Sequence, residues 1–198
     1  MGLKTVCLGL VLALPLACTK VNLPELTALP ASSLPAMRWD HRPEAAEWTT
    51  QTLVAVSSQD PVLAQSVPSD IAAWCPGYVT ADLHQRRAFW VAMLSAVAKY
   101  ESSWNPTASG GGGRYIGLTQ ISPKTARNHG CAATSAGALK DGSANLACAV
   151  KIVAAQVGRD RAVSGNGRRG MGRDWGPFSK AAKRAEMQSW TKAQSYCQ

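Results

Sequence analysis

Beyond residue 80 the apolar positions recur every three or four residues, the spacing of amphipathic helices. The clearest case runs from Ala81 to Tyr100, where Leu83, Trp90, Leu94 and Val97 share a face and Glu101 falls four residues beyond Val97. Asp82 suits the first turn of such a helix, while Gln85, Arg86 and Lys99 lie off the apolar stripe, and Pro106 requires the helix to have ended. A shorter helix is expected from Ser122-Pro123, a favoured N-cap followed by a favoured first residue, with Gly130 as its stop. A third is expected from Ser143 to Val157, with Leu146, Ala149 or Val150, Val153 and Val157 on its buried side and Gly158 ending it. Ala181–Ala193 is a candidate fourth. No stretch alternates in the manner of a strand, so the pattern predicts an all-α or mostly α domain.

The first seventy residues read differently. Met1–Cys18 has one early positive charge, Lys4, then an apolar run from Val6 to Leu16, the pattern of an export leader. Small Ala17 before Cys18 resembles a bacterial lipobox. That likeness implies cleavage at residue 17, diacylation of Cys18, and, with Thr19 next, placement at the outer membrane facing the periplasm. Ordinary leader cleavage near Ala17 is the alternative. From residue 18 to 69 come six of the eleven prolines (Pro24, Pro30, Pro35, Pro43, Pro61, Pro68), so this stretch is expected to be a tether. A flexible chain of that length spans roughly 40 Å. Trp39 and Trp48 stand out within it as residues able to dock on the domain or on a partner, and Trp48–Val56 is compatible with a short helix or strand. The folded domain is then expected over residues 70–198.

Composition narrows the function. At 198 residues and 46% hydrophobic, the chain suits one ordinary domain with extensions. His41, His84 and His129 are scattered and no CxxC pair occurs, so a metal site has no support, and no cofactor is expected. The formal net charge of +9 and the run Arg159, Arg161, Arg168, Arg169, Arg173 suggest an anionic partner. Export argues against nucleic acid and for the carboxylate-bearing cell wall, and a solvated loop is an equally good reading. Once Cys7 leaves with the leader and Cys18 is lipidated, four cysteines remain in an oxidising compartment, which suggests two disulfides. Of three possible pairings, Cys131–Cys148 is favoured because the two flank one short loop and its following helix. Cys75–Cys197 would then tie the start of the domain to its end.

Glu101 is the residue with chemistry. At the end of an apolar helical face its carboxyl is aimed at or beside the core, where burial raises the pKa and keeps a proton available for donation to a glycosidic oxygen. A helix-terminal Glu facing water, or paired with Lys99 or Arg114, is the alternative on geometry alone. The surrounding residues add more: Glu101-Ser102 with Asn105-Pro106, then Gly117-Leu118-Thr119-Gln120-Ile121, then Pro123 with Thr125-Ala126, and an Asn145-Leu146 helix. In this order and spacing, over about Val91–Val157, they resemble the soluble lytic transglycosylase (SLT) domain family, related in fold to goose-type lysozyme. The resemblance implies a lysozyme-like α domain with Glu101 as its single catalytic acid/base. It also implies that Gln120 lines the cleft, that Ser109 lies near the acetamido-sugar site and that Ser122 stands at the cleft wall. Each of these three has a simpler reading: Gln120 as a turn hydrogen bond, Ser109 as loop solvation, Ser122 as a helix cap.

The chain departs from the family after the third helix, where an Ala-Tyr-Asn segment is missing. Trp175, before Gly176-Pro177-Phe178, or Tyr115 is the candidate to fill that wall. Gly110–Gly113 lacks the GK[ST] ending of a phosphate loop and reads as a cleft loop able to admit a glycan. The implied activity is cleavage of the β-1,4 bond between N-acetylmuramic acid and N-acetylglucosamine with formation of 1,6-anhydromuramoyl ends. No Asp or Glu lies between Glu101 and Lys140, which suits a one-carboxylate route, although Asp141, Asp160 and Asp174 follow. A hydrolytic lysozyme of the same fold and a peptidoglycan-binding lipoprotein without catalysis are the two rival readings.

Overall fold

A computed structural model describes residues 34–198; the leader and Cys18 lie outside the described residues. The fold is mostly helical. Its α-helices are α1 (Ala45–Ser57), α2 (Leu83–Ser102), α3 (Pro123–Asn128), α4 (Gly142–Asp160) and α5 (Ala181–Lys192). Short 3-10 turns and one small hairpin, β1 (Ser109–Gly110) with β2 (Tyr115–Ile116), make the connections. Among the described residues no helix is long and apolar enough to cross a membrane.

Helix α2 is the axis. Its start is a reciprocal cap in which the Asp82 carboxylate accepts from Gln85 N (2.8 Å) and the Gln85 side chain accepts from Asp82 N (2.9 Å). Every residue from Ala88 to Ala98 is buried. A helix surrounded on all sides needs no polar face over that length, which is why the stripe read from spacing understates its burial. The helix runs two residues beyond the expected Tyr100, so Glu101 stands in its last turn.

The tether expected over residues 18–69 is corrected for its described part. Helix α1 packs against α4 and α2. Trp39, Val56 and Leu63 are fully buried and Trp48 nearly so. The Trp39 indole donates to Thr49 Oγ1 (2.9 Å), and its ring meets Trp48 edge-on at 5.9 Å. A Cβ on Gly142 would come within 2.3 Å of Trp48 Nε1, so a glycine at the head of α4 is what lets Trp48 in. Further ties come from Tyr78 Oη to Leu63 O (2.8 Å) and Tyr196 Oη to Ala36 O (2.9 Å). Pro43 and Pro61 punctuate the two ends of α1 instead of dissolving it, and the apolar residues between them do the packing.

Helix α4 also exceeds its expected end. Gly158 is helical, and its missing side chain leaves room for Val62, whose Cγ1 would sit 3.1 Å from an added Cβ. The helix stops instead at Arg161, whose φ of 50° is left-handed. The disulfides join Cys75 to Cys197 and Cys131 to Cys148, the favoured pairing. The first locks the turn before α2 to the chain's end, and the second pins the segment after α3 to α4.

Candidate active site

The last turn of α2 delivers Glu101 to a cleft of about 300 Å³ lined by Gly110, Gly111, Tyr115, Gln120, Asp174, Trp175 and Gly176. The position of Glu101 is set by what ends the helix. Trp104 N bonds to Ala98 O and Ser103 N to Lys99 O (both 3.2 Å), a Schellman closure. Ser103 (φ 52°) and Trp104 (φ 58°) both take left-handed conformations that glycine would adopt without strain. The Trp104 side chain offsets this cost: its indole donates to Ser95 O (2.9 Å) and stacks edge-on against His41 at 4.6 Å. Residues before α1 thus brace the turn that follows Glu101.

The opposite wall is the hairpin and the loop after it. Ser109 pairs with Ile116 and Gly110 with Tyr115, and Gly111, Gly112 and Gly113, all with positive φ, turn the chain between them. The loop Gly117–Ile121 closes on itself through reciprocal Ile116–Ile121 backbone bonds (3.0 Å each). Three elements grip it. From α2, Ser102 Oγ donates to Leu118 O (2.8 Å). From α4, buried Asn145 accepts from Thr119 N (3.0 Å) and Thr119 Oγ1 (2.7 Å) and donates to Ile116 O and Leu139 O (3.0 Å each). From the turn before α5, Trp175 Nε1 donates to Thr119 O (2.9 Å). A Cβ on Gly117 would fall 2.3 Å from Asn145 Nδ2, so Gly117 and Asn145 are one fitted unit. The loop holds Gln120 at φ 52°, a strained conformation, in the cleft it shares with Glu101.

Glu101 is half-buried, and no group among the described residues donates a hydrogen bond to its carboxyl. Burial pushes its pKa up, opposed in part by the Lys183 ammonium on α5. A carboxyl without stabilising donors in a partly dry site favours the neutral, proton-donating form. Behind it, Glu186 of α5 is held well ionised, its pKa brought down to about 2 chiefly by Arg38. Glu186 accepts from Arg38 Nη1 (2.8 Å), Tyr100 Oη (2.7 Å) and Lys99 Nζ (3.0 Å), clamping α5 and the N-terminal segment onto the last turn of α2.

Of the residues singled out from sequence, the structure brings Glu101, Gln120, Tyr115 and Trp175 to one cleft. Gln120 also fulfils its simpler reading, since Nε2 donates to Gly117 O (2.9 Å) and Ala108 O (3.3 Å). Ser109 is exposed on β1 and Ser122 is an N-cap whose Oγ accepts from Thr125 N (3.0 Å); neither lines the cleft. Within the basic run, Arg169 and Arg173 are tied to Asp160. Asp160 draws Arg173 (Nε to Oδ2, 2.5 Å), the Gly170 N–H (2.7 Å) and, through its main-chain oxygen, Arg169 (2.5 Å). Asp174, Asn145 and Lys183 are the residues sequence reasoning did not place. Asp174 shares the cleft with Glu101 and accepts from Gln156 Nε2 (2.7 Å). Among the described residues no group of three or more His, Cys, Asp or Glu stands ready to hold a metal ion.

A central buried helix, with a short hairpin and a half-buried glutamate at one cleft, makes up a lysozyme-like, mostly α domain. Residues 80–171 match the model of the transglycosylase SLT domain. Solved structures of Bd0314 DslA share the fold. A glutamate-to-glutamine mutant aligns with TM-score 0.74 and 26% identity over 83% of this chain and 98% of that chain. The wild-type form 2 gives 0.73 and 26% over the same shares, and a second glutamate-to-glutamine mutant gives 0.72 and 25% over 82% and 97%. These shares exceed what residues 70–198 alone supply, in keeping with α1 belonging to the fold. No curated protein matches the chain.

Proposed function

We propose that this protein cleaves the MurNAc-β-1,4-GlcNAc bond of peptidoglycan with Glu101 as sole acid/base, leaving 1,6-anhydromuramoyl ends. The observation that carries the reading is the half-buried Glu101 carboxyl, without a hydrogen-bond donor among the described residues and facing a cleft whose opposite wall is a glycine-rich hairpin. Neutral Glu101 gives its proton to the glycosidic oxygen as the C1–O bond breaks with oxocarbenium character. The acetamido oxygen of the same sugar supports C1. Glu101, now a carboxylate, takes the proton of the muramoyl 6-hydroxyl as its oxygen closes on C1. The proton count balances, and no water is consumed. Gln120 Oε1, without a donor among the described residues, and the Tyr115 and Trp175 rings are the groups available to hold the sugars. Glu101→Gln should lower the rate on sacculi by about 10²–10⁴-fold without loss of fold; a rate within a few-fold of wild type would remove Glu101 from this role.

One observation favours a second reading. Asp174 is a second carboxylate in the same cleft, and an inverting hydrolase uses one to activate water, at a separation of about 6.5–9.5 Å. Asp174→Asn separates the readings, since hydrolysis through Asp174 would collapse and the one-carboxylate route would persist. We also propose export and diacylation at Cys18, placing the enzyme at the periplasmic face of the outer membrane. Two acyl chains anchor stably where one does not, so Cys18→Ser should shift the protein from the membrane to the soluble exported fraction.

A further inference from the structure

Two arginines line a second cavity, of about 470 Å³, together with Ser69, Asp70, Asn166 and Gln188. Each guanidinium is held by one main-chain oxygen: Arg169 Nη2 donates to Asp160 O (2.5 Å) and Arg184 Nη1 to Phe178 O (2.6 Å). Neither forms an ion pair among the described residues, and each keeps its other two nitrogens without an acceptor there. Two glycines with positive φ let the side chains in. A Cβ on Gly167 would fall 2.1 Å from Phe178 O and 3.0 Å from Arg184 Nη1, and one on Gly165 would fall 3.2 Å from the Arg169 Cβ and Cδ. Asp70 fixes the loop that carries these glycines, accepting from Val163 N (2.6 Å), Ser164 N (3.0 Å) and Gly165 N (2.8 Å). Its charge is thus engaged by the main chain. The cavity is left with two anchored guanidiniums and spare N–H groups, the donor set that a carboxylate takes in charge-assisted hydrogen bonds.

The cavity adjoins the Glu101 cleft through one 3-10 turn, Gly176–Ser179. Gly176 lines the cleft, and Phe178, two residues on, supplies the oxygen that holds Arg184. Their Cα atoms are at most about 7 Å apart, a separation that two extended peptide residues span. We propose that this cavity binds a carboxylate of the peptide stem on the muramoyl sugar, so that stem-bearing strands are cleaved in preference to bare glycan. The inference rests on the peptidoglycan reading of the cleft. A stem presents carboxylates on its glutamyl and diaminopimelyl residues and at its end, and the Arg169 and Arg184 forks match that geometry. Arg169 is exposed and Arg184 half-buried, so the attraction weakens with added salt.

The test is an amide NMR titration of the protein with the free stem tetrapeptide L-Ala-γ-D-Glu-diaminopimelate-D-Ala, with the same peptide amidated at its carboxyls, and with inorganic phosphate. The free peptide should displace the Gly165, Asn166 and Gln188 amides, and the amidated peptide should not. Arg169→Gln and Gln188→Glu should each weaken binding by about tenfold, one by removing a fork and the other by adding a like charge while both arginines stay in place. Both variants should lose the same factor in kcat/KM on stem-bearing strands and match wild type on strands stripped of their stems. Phosphate binding as tight as the peptide's would make the cavity a general anion site and overturn the stem assignment. Unmoved amides, or an equal loss on stripped strands, would overturn it too. A peptide that binds here in a protein that cleaves no glycan would leave the cavity's assignment standing and remove the peptidoglycan-cleaving reading instead.

Discussion

Replacing Asn145 by alanine isolates the joint on which the cleft wall hangs. The side chain is fully buried and makes four hydrogen bonds, two accepted from Thr119 and two donated to Ile116 O and Leu139 O. Each such bond contributes about 0.5–1.5 kcal/mol net, and each buried main-chain group left without a partner costs about 1–3 kcal/mol. Truncation orphans the Thr119 N–H and two carbonyl oxygens, with some relief from water entering the space. The expected loss is about 3–5 kcal/mol, a large share of the 5–15 kcal/mol typical of a domain. Urea unfolding followed by circular dichroism, with the disulfides intact, should show the midpoint falling at an unchanged slope. Because the loop carries Gln120 and receives Trp175, the folded variant should also lose turnover at temperatures well below its midpoint. A stability loss under about 1 kcal/mol, or full activity in a destabilised protein, would refute the view that Asn145 organises the site.

Two further outcomes follow from the same framework. Trp175→Phe keeps an aromatic wall but removes the indole bond to Thr119 O; it should cost about 1 kcal/mol of stability and raise KM on soluble glycan fragments more than it lowers kcat. Acid should unfold the protein between roughly pH 4 and 2. In that window the unfolded chain takes up the protons of Asp160 and Glu186, while the folded chain, with both pKa values brought down to about 2 by Arg173 and Arg38, does so only at its lower edge. Asp160→Asn and Glu186→Gln should each flatten the loss of stability with falling pH, read as thermal midpoints across that range.

The helices legible in the sequence are those whose burial leaves a periodic trace or whose ends carry capping residues. Ser122 caps as expected, Asp82 caps α2 where it was expected inside the first turn, and the face ending at Glu101 led to the carboxyl in the cleft. What was not legible depends on contacts distant along the chain. Proline density suggested a tether, yet Trp39 and Trp48 bury themselves because Gly142 and Thr49 receive them. The two-residue strands around Gly111–Gly113 are too short to alternate. Gly158 reads as a helix stop, but it is a point of close approach for Val62. The five arginines read as one basic patch, but Asp160 draws Arg169 and Arg173 into structural roles. Asp174 comes to the cleft of Glu101 only through the 3-10 turns before α5, whose path no local pattern specifies.

The central claim is that one glutamate both opens the glycosidic bond and closes the anhydro ring. Purified sacculi digested by the wild-type protein, without reduction, and resolved by mass spectrometry test it most directly. Muropeptides ending in 1,6-anhydromuramic acid, lighter by one water than their reducing counterparts, are the predicted products, absent with Glu101→Gln and still present with Asp174→Asn. Reducing-end muropeptides as the main product, lost on replacing Asp174, would contradict the claim and make this cleft a hydrolase with two carboxylates.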